Sequence, residues 1–466
     1  MLKTISRRTI LQGTAAGLAL PAMQMVPSEA AAQIGAAPCA AFSPRISWFS
    51  VAERDRRWAA VRAIMARPQW NLDAIITVAS DLPGNYAKYL TQIGMRAGGG
   101  DGTEVIFPRD PAQAVYVQVN GTRFRDFWKA RATSWMAGGK LTVSAGGGAA
   151  ALAKQLKAQG LDRPGMRIGV ARLAGSRFEA EGLVAATYLD RLKASLPGVV
   201  FAPIDKWGAD AGPVEESGMI KGPEEQDVIR RAAAASEHGI AAMIAAVRAG
   251  AKTQGELWFA TYSAMFARTG EDPTRVSISF DGPANATVGE PVDDALRAGQ
   301  IVNEEIDATV QGYRAQVNHA VFVGGSSTPG YDYYRAAMEI ALTLVKEVPA
   351  SIVAGKTTLG EFVRHHSARV GELGGDDAST VMFHSSGIGN LSRPRVGPRS
   401  GIEEFDIVLR PGMTFDYKPA VRVKRAKLAD VGAENREVNV GEHFLVTEQG
   451  AVRLGTRDLV PIATQA

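Results

Sequence analysis

The segment His384-Ser385-Ser386-Gly387-Ile388-Gly389 puts an imidazole, two hydroxyls and two turn glycines close together. Histidine exchanges protons near neutral pH, and a serine beside it invites nucleophilic catalysis. No Gly-x-Ser-x-Gly elbow surrounds either serine, and serines in a glycine turn more often cap backbone. The plainer reading of His384, and of His319, is a buried, hydrogen-bonded ring. His365-His366 fall on adjacent faces of a predicted helix and read as surface, while His238 and His443 carry no clear signal. Arg393, Arg395, Arg399, Arg422, Lys424, Arg425 and Lys427 make a basic stretch that could hold a carboxylate or simply be solvated. The glycines at 138–139 and 146–148 are no phosphate cradle, because the Lys-Ser/Thr of a P-loop is missing. The single cysteine, Cys39, excludes an internal disulfide and a multi-cysteine metal site.

The elements that must position such residues fall into two halves. The chain has 466 residues, 46% hydrophobic and 21% charged, which is globular composition with room for two or three domains. Its 52 basic and 48 acidic residues nearly balance, so no nucleic-acid footprint is present. Val51 to Ala66 has helical spacing, Leu72–Val78 is a β-branched strand, and Thr103–Phe107 and Ala114–Val119 read as a strand pair. Ala149–Gln159 is a predicted helix and Met166–Val170 a strand. A seam rich in Gly, Pro and acids lies near Asp205–Pro223. Pro223-Glu224-Glu225 then opens a long helix to Val247. Thr253 caps the next helix, with Glu256 three residues on. Beyond Pro273 strands dominate, interrupted by helices at Tyr331–Val348 and Thr358–Leu373.

The N-terminus reads as an export signal. Arg7-Arg8 precedes a short apolar run, Thr14 to Met25, and Ala30-Ala31-Ala32 is a cleavage site. Residues 1–32 are thus expected to be a twin-arginine signal, with the mature chain starting near Gln33 in the periplasm or outside. No other stretch is long and apolar enough to span a membrane.

Four segments of the second half resemble the pita-bread fold of the creatinase, aminopeptidase P and methionine aminopeptidase family. They are Lys221 to Gly250; Ile301 to Gly324, where Gly312-Tyr313-Arg314-Ala315 is similar to a "GYxAD" strand; His384–Gly389, similar to "GHGIG"; and Leu409–Phe415 with Phe444–Gly450, similar to "L-x-PGM-x-F" and "xLVTExG". In the first half, Asn71-Leu72-Asp73-Ala74 and Asn85–Thr91 resemble creatinase-type N-terminal domains. The resemblance implies an α+β chain: a creatinase-like α/β domain over 45–215, then a pita-bread domain over 221–466. It also implies a homodimer.

In metal-dependent members, two Asp, one His and two Glu hold two metal ions, which suits Mn, Co or Zn. By resemblance those positions fall on Glu305, Gln316, Ser386, Lys418 and Gly441. Near misses are Glu304, Asp307, His384 and Glu442. The family's upstream substrate-binding histidine falls near Val288 or Gly289. A charged lysine has no lone pair to ligate with, so no metal cofactor is expected. Lys418 is expected to take the place of the metal charge and to neutralise Glu305, with Glu442 or Asp307 as further partners.

The resemblance therefore points to a hydrolase or lyase for a small-molecule or short-peptide substrate. Lys418, Glu305, His384 and His319 are the expected catalytic set. Gln316, Ser386, Glu442 and Asp307 are the expected substrate contacts. Two alternatives stay open. One is a binding protein without chemistry. The other is a metal-dependent Xaa-Pro peptidase with shifted ligands Asp307, His384 and Glu442.

Overall fold

The computed structural model describes residues 49–78, 86–93, 103–131, 134–174, 181–205, 211–284, 289–388, 393–397, 404–424 and 436–464. The signal segment, Cys39, Val288, Gly389, Arg399, Arg425 and Lys427 lie outside them.

Ser50 caps the first helix, α1 (Val51–Met65), by accepting the Glu53 amide. Strands β1 (Ala74–Thr77), β2 (Thr103–Pro108), β3 (Val115–Val119), β4 (Leu141–Ala145), β5 (Arg167–Val170) and β6 (Val200–Pro203) form one sheet, ordered β4-β3-β2-β1-β5-β6. β2 runs antiparallel to both neighbours and the other pairs are parallel. The inner strands are apolar on both faces because helices cover both. Those helices are drawn from α1, α2 (Tyr86–Thr91), α3 (Thr122–Arg131), α4 (Ala149–Ala158) and α5 (Ala186–Ser195). A short α6 (Pro213–Met219) then crosses the expected seam.

The long helix α7 (Pro223–Arg248) starts as expected, with Pro223 in its first turn and the Gly222 amide donating to Glu225. Thr253 caps α8 (Gln254–Thr269), but Glu256 reaches back to the Lys252 amide, one residue earlier than a capping box requires. The second sheet contains β7 (Arg275–Phe280), β8 (Ile301–Val310), β9 (Tyr313–His319) and β10 (Val321–Val323). After helices α9 (Tyr331–Ser351) and α10 (Leu359–Glu372) come β11 (Thr380–Ser385), β12 (Arg395–Val396), β13 (Thr414–Val421), β14 (Val438–Thr447), β15 (Gly450–Arg453) and β16 (Ile462–Thr464). Its order is β12-β11-β13-β14-β9-β8-β10-β16, with β7 on β8 and β15 on β14. The chain is thus α+β, with a smaller α/β domain ahead of a larger domain.

Two features fix the register on which the site depends. Gln311 and Gly312 both have positive φ, 56° and 80°, so a two-residue turn joins β8 to β9. That turn places Asp307 opposite Gln316. Helix α7 is stitched beneath the hairpin by Ser236, whose hydroxyl donates to Ala315 O and accepts from the Ala308 amide, both at 2.8 Å. No helix among the described residues is long and apolar enough to cross a membrane.

The halves meet through a buried charge cluster. Glu225 at the start of α7 accepts from Tyr313 Oη and Arg56 at 2.5 Å each, and lies 3.6 Å from Arg57. Arg57 is fully buried. Its Nε bonds Glu53 at 2.7 Å, and Phe49, Tyr89, Trp135 and Tyr313 surround its guanidinium. Removing one member of a buried ion network strands the others. Arg57→Met is expected to lower stability by about 3–5 kcal/mol, read as a shifted denaturant midpoint. A change below about 1 kcal/mol would show that water, not Arg57, solvates Glu53 and Glu225.

Candidate active site

Side chains in a strand alternate between faces, so residues two apart share one. On β13 that puts Asp416 and Lys418 on one face. Register sets His384 of β11 opposite Asp416, and His443 of β14 opposite Asp416 on the other side. Glu305 of β8 and Gln316 of β9 are diagonal neighbours on the same hairpin face. The two strands of the hairpin, β11, β13 and β14 thereby converge their polar groups on one buried region.

Lys418 is 5% exposed. Its Nζ donates to Glu305 Oε1 at 3.2 Å and to Gln316 Oε1 at 2.6 Å. Burial opposes ionisation of Glu305, but Lys418 and then Arg275, 3.7 Å away, outweigh it and hold the carboxyl well below its usual range. The expected Lys418–Glu305 pair is therefore formed, and Gln316 joins it.

A second centre lies beside the first. Asp416 is fully buried and saturated with donors. Its Oδ1 takes His443 Nδ1 in a short contact and the Gln316 amide at 3.2 Å. Its Oδ2 takes the Ser386 hydroxyl at 2.5 Å and lies 3.2 Å from His384 Nδ1. Burial would raise this carboxyl, yet His443, His384 and the bond that His443 makes hold it well below the usual range. His384 Nδ1 also faces Ser385 O at 3.1 Å, and its Nε2 faces Gln316 Oε1 at 2.9 Å. Burial and the Lys418 ammonium push this imidazole well down, with Asp416 pulling the other way. His443–Asp416–His384–Gln316–Lys418–Glu305 is thus one continuous polar chain.

Asp307 is also on this face, but its Oδ2 is held by Arg314 at 3.0 Å. Burial pushes its carboxyl up, against Arg314. Ser385 turns the other way, donating to Thr414 O at 2.9 Å with Lys221 Nζ 3.3 Å off. Burial pushes that lysine down to about 8. Both serines of the glycine turn are thus engaged, one with backbone and one with Asp416.

Two expected site residues sit elsewhere. His319 and Glu442 are each one residue out of phase with the converging face. His319 bonds Val460 O at 2.9 Å and Arg457 Nε at 3.2 Å. Glu442 contacts Arg457 and, at 3.5 Å, Arg453; burial pushes it up to about 7 against them. Glu304 joins this second cluster, accepting the His319 amide, and burial pushes it up to about 8. Glu442 and Asp307 therefore do not share Lys418. Asp416 and His443 were missed from the sequence, although Asp416 stands two residues before Lys418 in a strand pattern.

The residues present do not fit a dinuclear centre. Glu305 alone supplies a carboxylate among the five family positions, and the Lys418 ammonium fills the space between it and Gln316. At Gly441 a Cβ would collide with Asn318 Oδ1 and come within 2.9 Å of Lys418 Cγ. Among the described residues, no three His, Cys, Asp or Glu form a metal-holding group.

Two measurements test this packing. Gly441→Ala is expected to destabilise by about 1–3 kcal/mol through that overlap; an unchanged melting curve would place Asn318 elsewhere. His319 is held neutral, down to about 3, by burial and Arg457, and His366 down to about 4 by burial and His365. A base depressed in the fold stabilises above its unfolded pKa, near 6.5. That stability is fully present there and falls as pH drops below it, by about 2 kcal/mol per ring at pH 5. Neither ring should titrate above about pH 5 in a histidine NMR titration; ordinary midpoints near 6.5 would refute the burial argument.

Comparisons with known proteins agree with this layout. Residues 227–448 match metallopeptidase family M24. No curated protein matches the chain. The X-Pro aminopeptidase from Thermotoga maritima superposes with a TM-score of 0.64 at 16% identity, covering 84% of this chain and 98% of its own. The Xaa-Pro dipeptidase from Bacillus anthracis gives 0.65 at 17%, covering 88% and 99%. The N-terminal domain of a FACT complex subunit from chickpea gives 0.63 at 11%, covering 89% and 99%. At such identities the likeness speaks for fold alone, and it spans both domains. The strand order, the hairpin register and the matched segment together make the C-terminal part of this chain a pita-bread domain of metallopeptidase family M24, preceded by an N-terminal α/β domain.

Proposed function

We propose that the chain is an exported hydrolase or lyase acting on a small polar substrate by proton transfer, without the dinuclear metal centre of its peptidase relatives. The observation that carries this reading is Lys418 Nζ, lodged between Glu305 Oε1 and Gln316 Oε1. A cation held there repels a dication and cannot ligate it. His384 and Lys418 are the proton-transfer groups, Glu305 the partner that keeps Lys418 in place, and Gln316 and Ser386 the polar groups for substrate. C–N, C–O and C–S bonds are all open as the one cleaved. The signal at 1–32, domains at 45–215 and 221–466, periplasmic delivery and a homodimer belong to the same reading.

A second reading has its own support. Lys418, Gln316, His384 and Glu305 already bond one another, so this polar cluster would recognise a small molecule or peptide end without chemistry.

Elemental mass spectrometry of the mature protein, purified folded without chelator, tests the metal-free reading. No stoichiometric Mn, Co or Zn is expected. Two equivalents of metal per chain would sink it and bring forward an Xaa-Pro peptidase with shifted ligands. For the metal-free protein, ligands found by thermal-shift screening are then compared on wild type and Lys418→Ala. Turnover lost in the variant marks a catalyst; binding without turnover in wild type marks a binder.

A further inference from the structure

Helix α8 buries one face through Gln254, Leu257, Thr261, Ala264, Met265 and Thr269. Its other face carries aromatic rings. Phe259 is 67% exposed and Phe266 39%, two of the three exposed phenylalanines among the described residues. They stand seven residues apart, which is two helical turns, so both lie along one line of the surface. Tyr262 lies between them and stacks on Trp258 and on Phe266, with ring centroids 5.0 and 6.1 Å apart. From Leu257 to Ala267 the helix carries no charged residue. Aromatic rings with no charge among them have the make-up of an interface core, and such a row is poorly served by water.

The stripe fits a copy of itself run backwards. Reversal about the midpoint between Tyr262 and Ser263 sets Phe259 against Phe266, Trp258 against Ala267 and Tyr262 against Ser263. The two largest rings thereby meet small side chains, and the phenylalanines meet each other. Charge follows the same symmetry. Lys252 is exposed just before the helix and Asp272 just beyond it, so reversal brings each to the other. Tyr262 Oη donates to Asp272 at 2.6 Å and holds that carboxylate on the stripe side. Exposed ion pairs add little affinity, but they fix direction. The remaining end charges stay out of the way. Glu256 accepts the Lys252 amide at 2.8 Å, and Arg268, nine residues beyond Phe259, falls on the opposite side of the helix.

We propose that the α8 stripe is the self-association surface of this protein: a second copy of the chain docks on it, the two α8 helices antiparallel across a two-fold axis near Tyr262 and Ser263. A contact that uses the same patch on both copies closes on itself, so it makes a dimer and stops there. The inference rests on the homodimer of the proposed function and names its surface; it is independent of metal and of the bond cleaved. The surface adjoins the site. Asp272 follows Glu271, whose carboxylate accepts the Gln311 amide at 2.6 Å and the Gly312 amide at 3.0 Å. Those amides belong to the turn that sets Asp307 opposite Gln316. A docked copy therefore bears on the loop that holds the hairpin of the site.

The test is the mass of the full mature chain by sedimentation equilibrium over a concentration series. Wild type is expected at twice the chain mass. Phe259→Glu is expected at the chain mass over the same range, a loss of at least about a hundredfold in affinity. Phe259 is mostly exposed, so the variant is expected to keep the wild-type melting curve. Lys252→Asp and Asp272→Lys are each expected to weaken the dimer, and the double variant to regain affinity over either. In a Cys39→Ser background, Ser263→Cys is expected to give a disulfide-linked dimer on mild oxidation, an arm that needs no disruptive variant. A dimer that survives Phe259→Glu and gives no such cross-link uses another face, so this inference falls and the homodimer stands. A dimer broken by Phe259→Glu but not regained by the charge reversal overturns the antiparallel arrangement. A monomeric wild type removes both, and leaves the stripe to a different protein or to a part of this chain outside the described residues.

Discussion

The site is organised by the ammonium of Lys418 and the two oxygens that hold it. A lysine so little exposed must find partners for its charge, and Glu305 and Gln316 are those partners. The charge balance makes the substitution coherent. By resemblance, the family's four carboxylates are neutralised by two dications. Here the same positions carry one carboxylate and one ammonium, which neutralise each other. A carboxamide at 316, a hydroxyl at 386 and a glycine at 441 add no charge. Restoring any single carboxylate would leave it buried and unpaired, so the set is consistent only as a whole. That interdependence is why Asn318 can occupy the space beside Gly441 that a longer side chain would need.

The second centre obeys the same constraint with the signs exchanged. Asp416 and Lys418 stand two residues apart on β13, an anion and a cation on one face. Tyr417 between them points to the helical side, where its hydroxyl meets His366 Nδ1 at 2.8 Å. The strand thus separates two environments cleanly: aromatic packing against α10 on one side, a polar chain on the other. The polar side is rigid because every member is anchored by cross-strand register and by the stitched α7. A group meant to hand over a proton gains from such fixed surroundings, since little has to reorganise when charge moves.

Much of this was legible in the sequence, and the rest failed for a specific reason. Pro223, Thr253 and Thr358 marked helix starts through backbone chemistry that needs no tertiary context. Glu305, Gln316 and Lys418 came from the family resemblance, which is carried there by local features: a hairpin with a two-residue turn and the Pro-Gly-Met run before the strand of Lys418. His319 was sought three residues beyond Gln316 and Glu442 one beyond Gly441, but an odd shift along a strand reverses the face. A shift of two does not, and His384, two residues before Ser386, does reach the converging point. Asp416 and His443 depend on the pairing of β13 with β14. That pairing joins residues far apart in sequence, and composition gives no hint of it.

The fold itself decides little about chemistry. The same two-domain frame carries proteins described as Xaa-Pro peptidases and a domain of a FACT complex subunit. What distinguishes this chain is the content of one sheet face. Glu305 is the member of the polar chain with most access to solvent, its side chain 16% exposed, beside a half-open Arg275. From there the chain runs inward through Lys418, Gln316 and His384 to Asp416 and His443, each more deeply buried than Glu305. A purely structural plug would need the outer pair alone to fill the former metal space. The inner imidazoles are not required for that neutralisation, and His443 Nε2, buried and without a hydrogen-bond partner among the described residues, adds cost to the fold. The proposed proton-transfer role accounts for such polar groups, whereas a space-filling role does not.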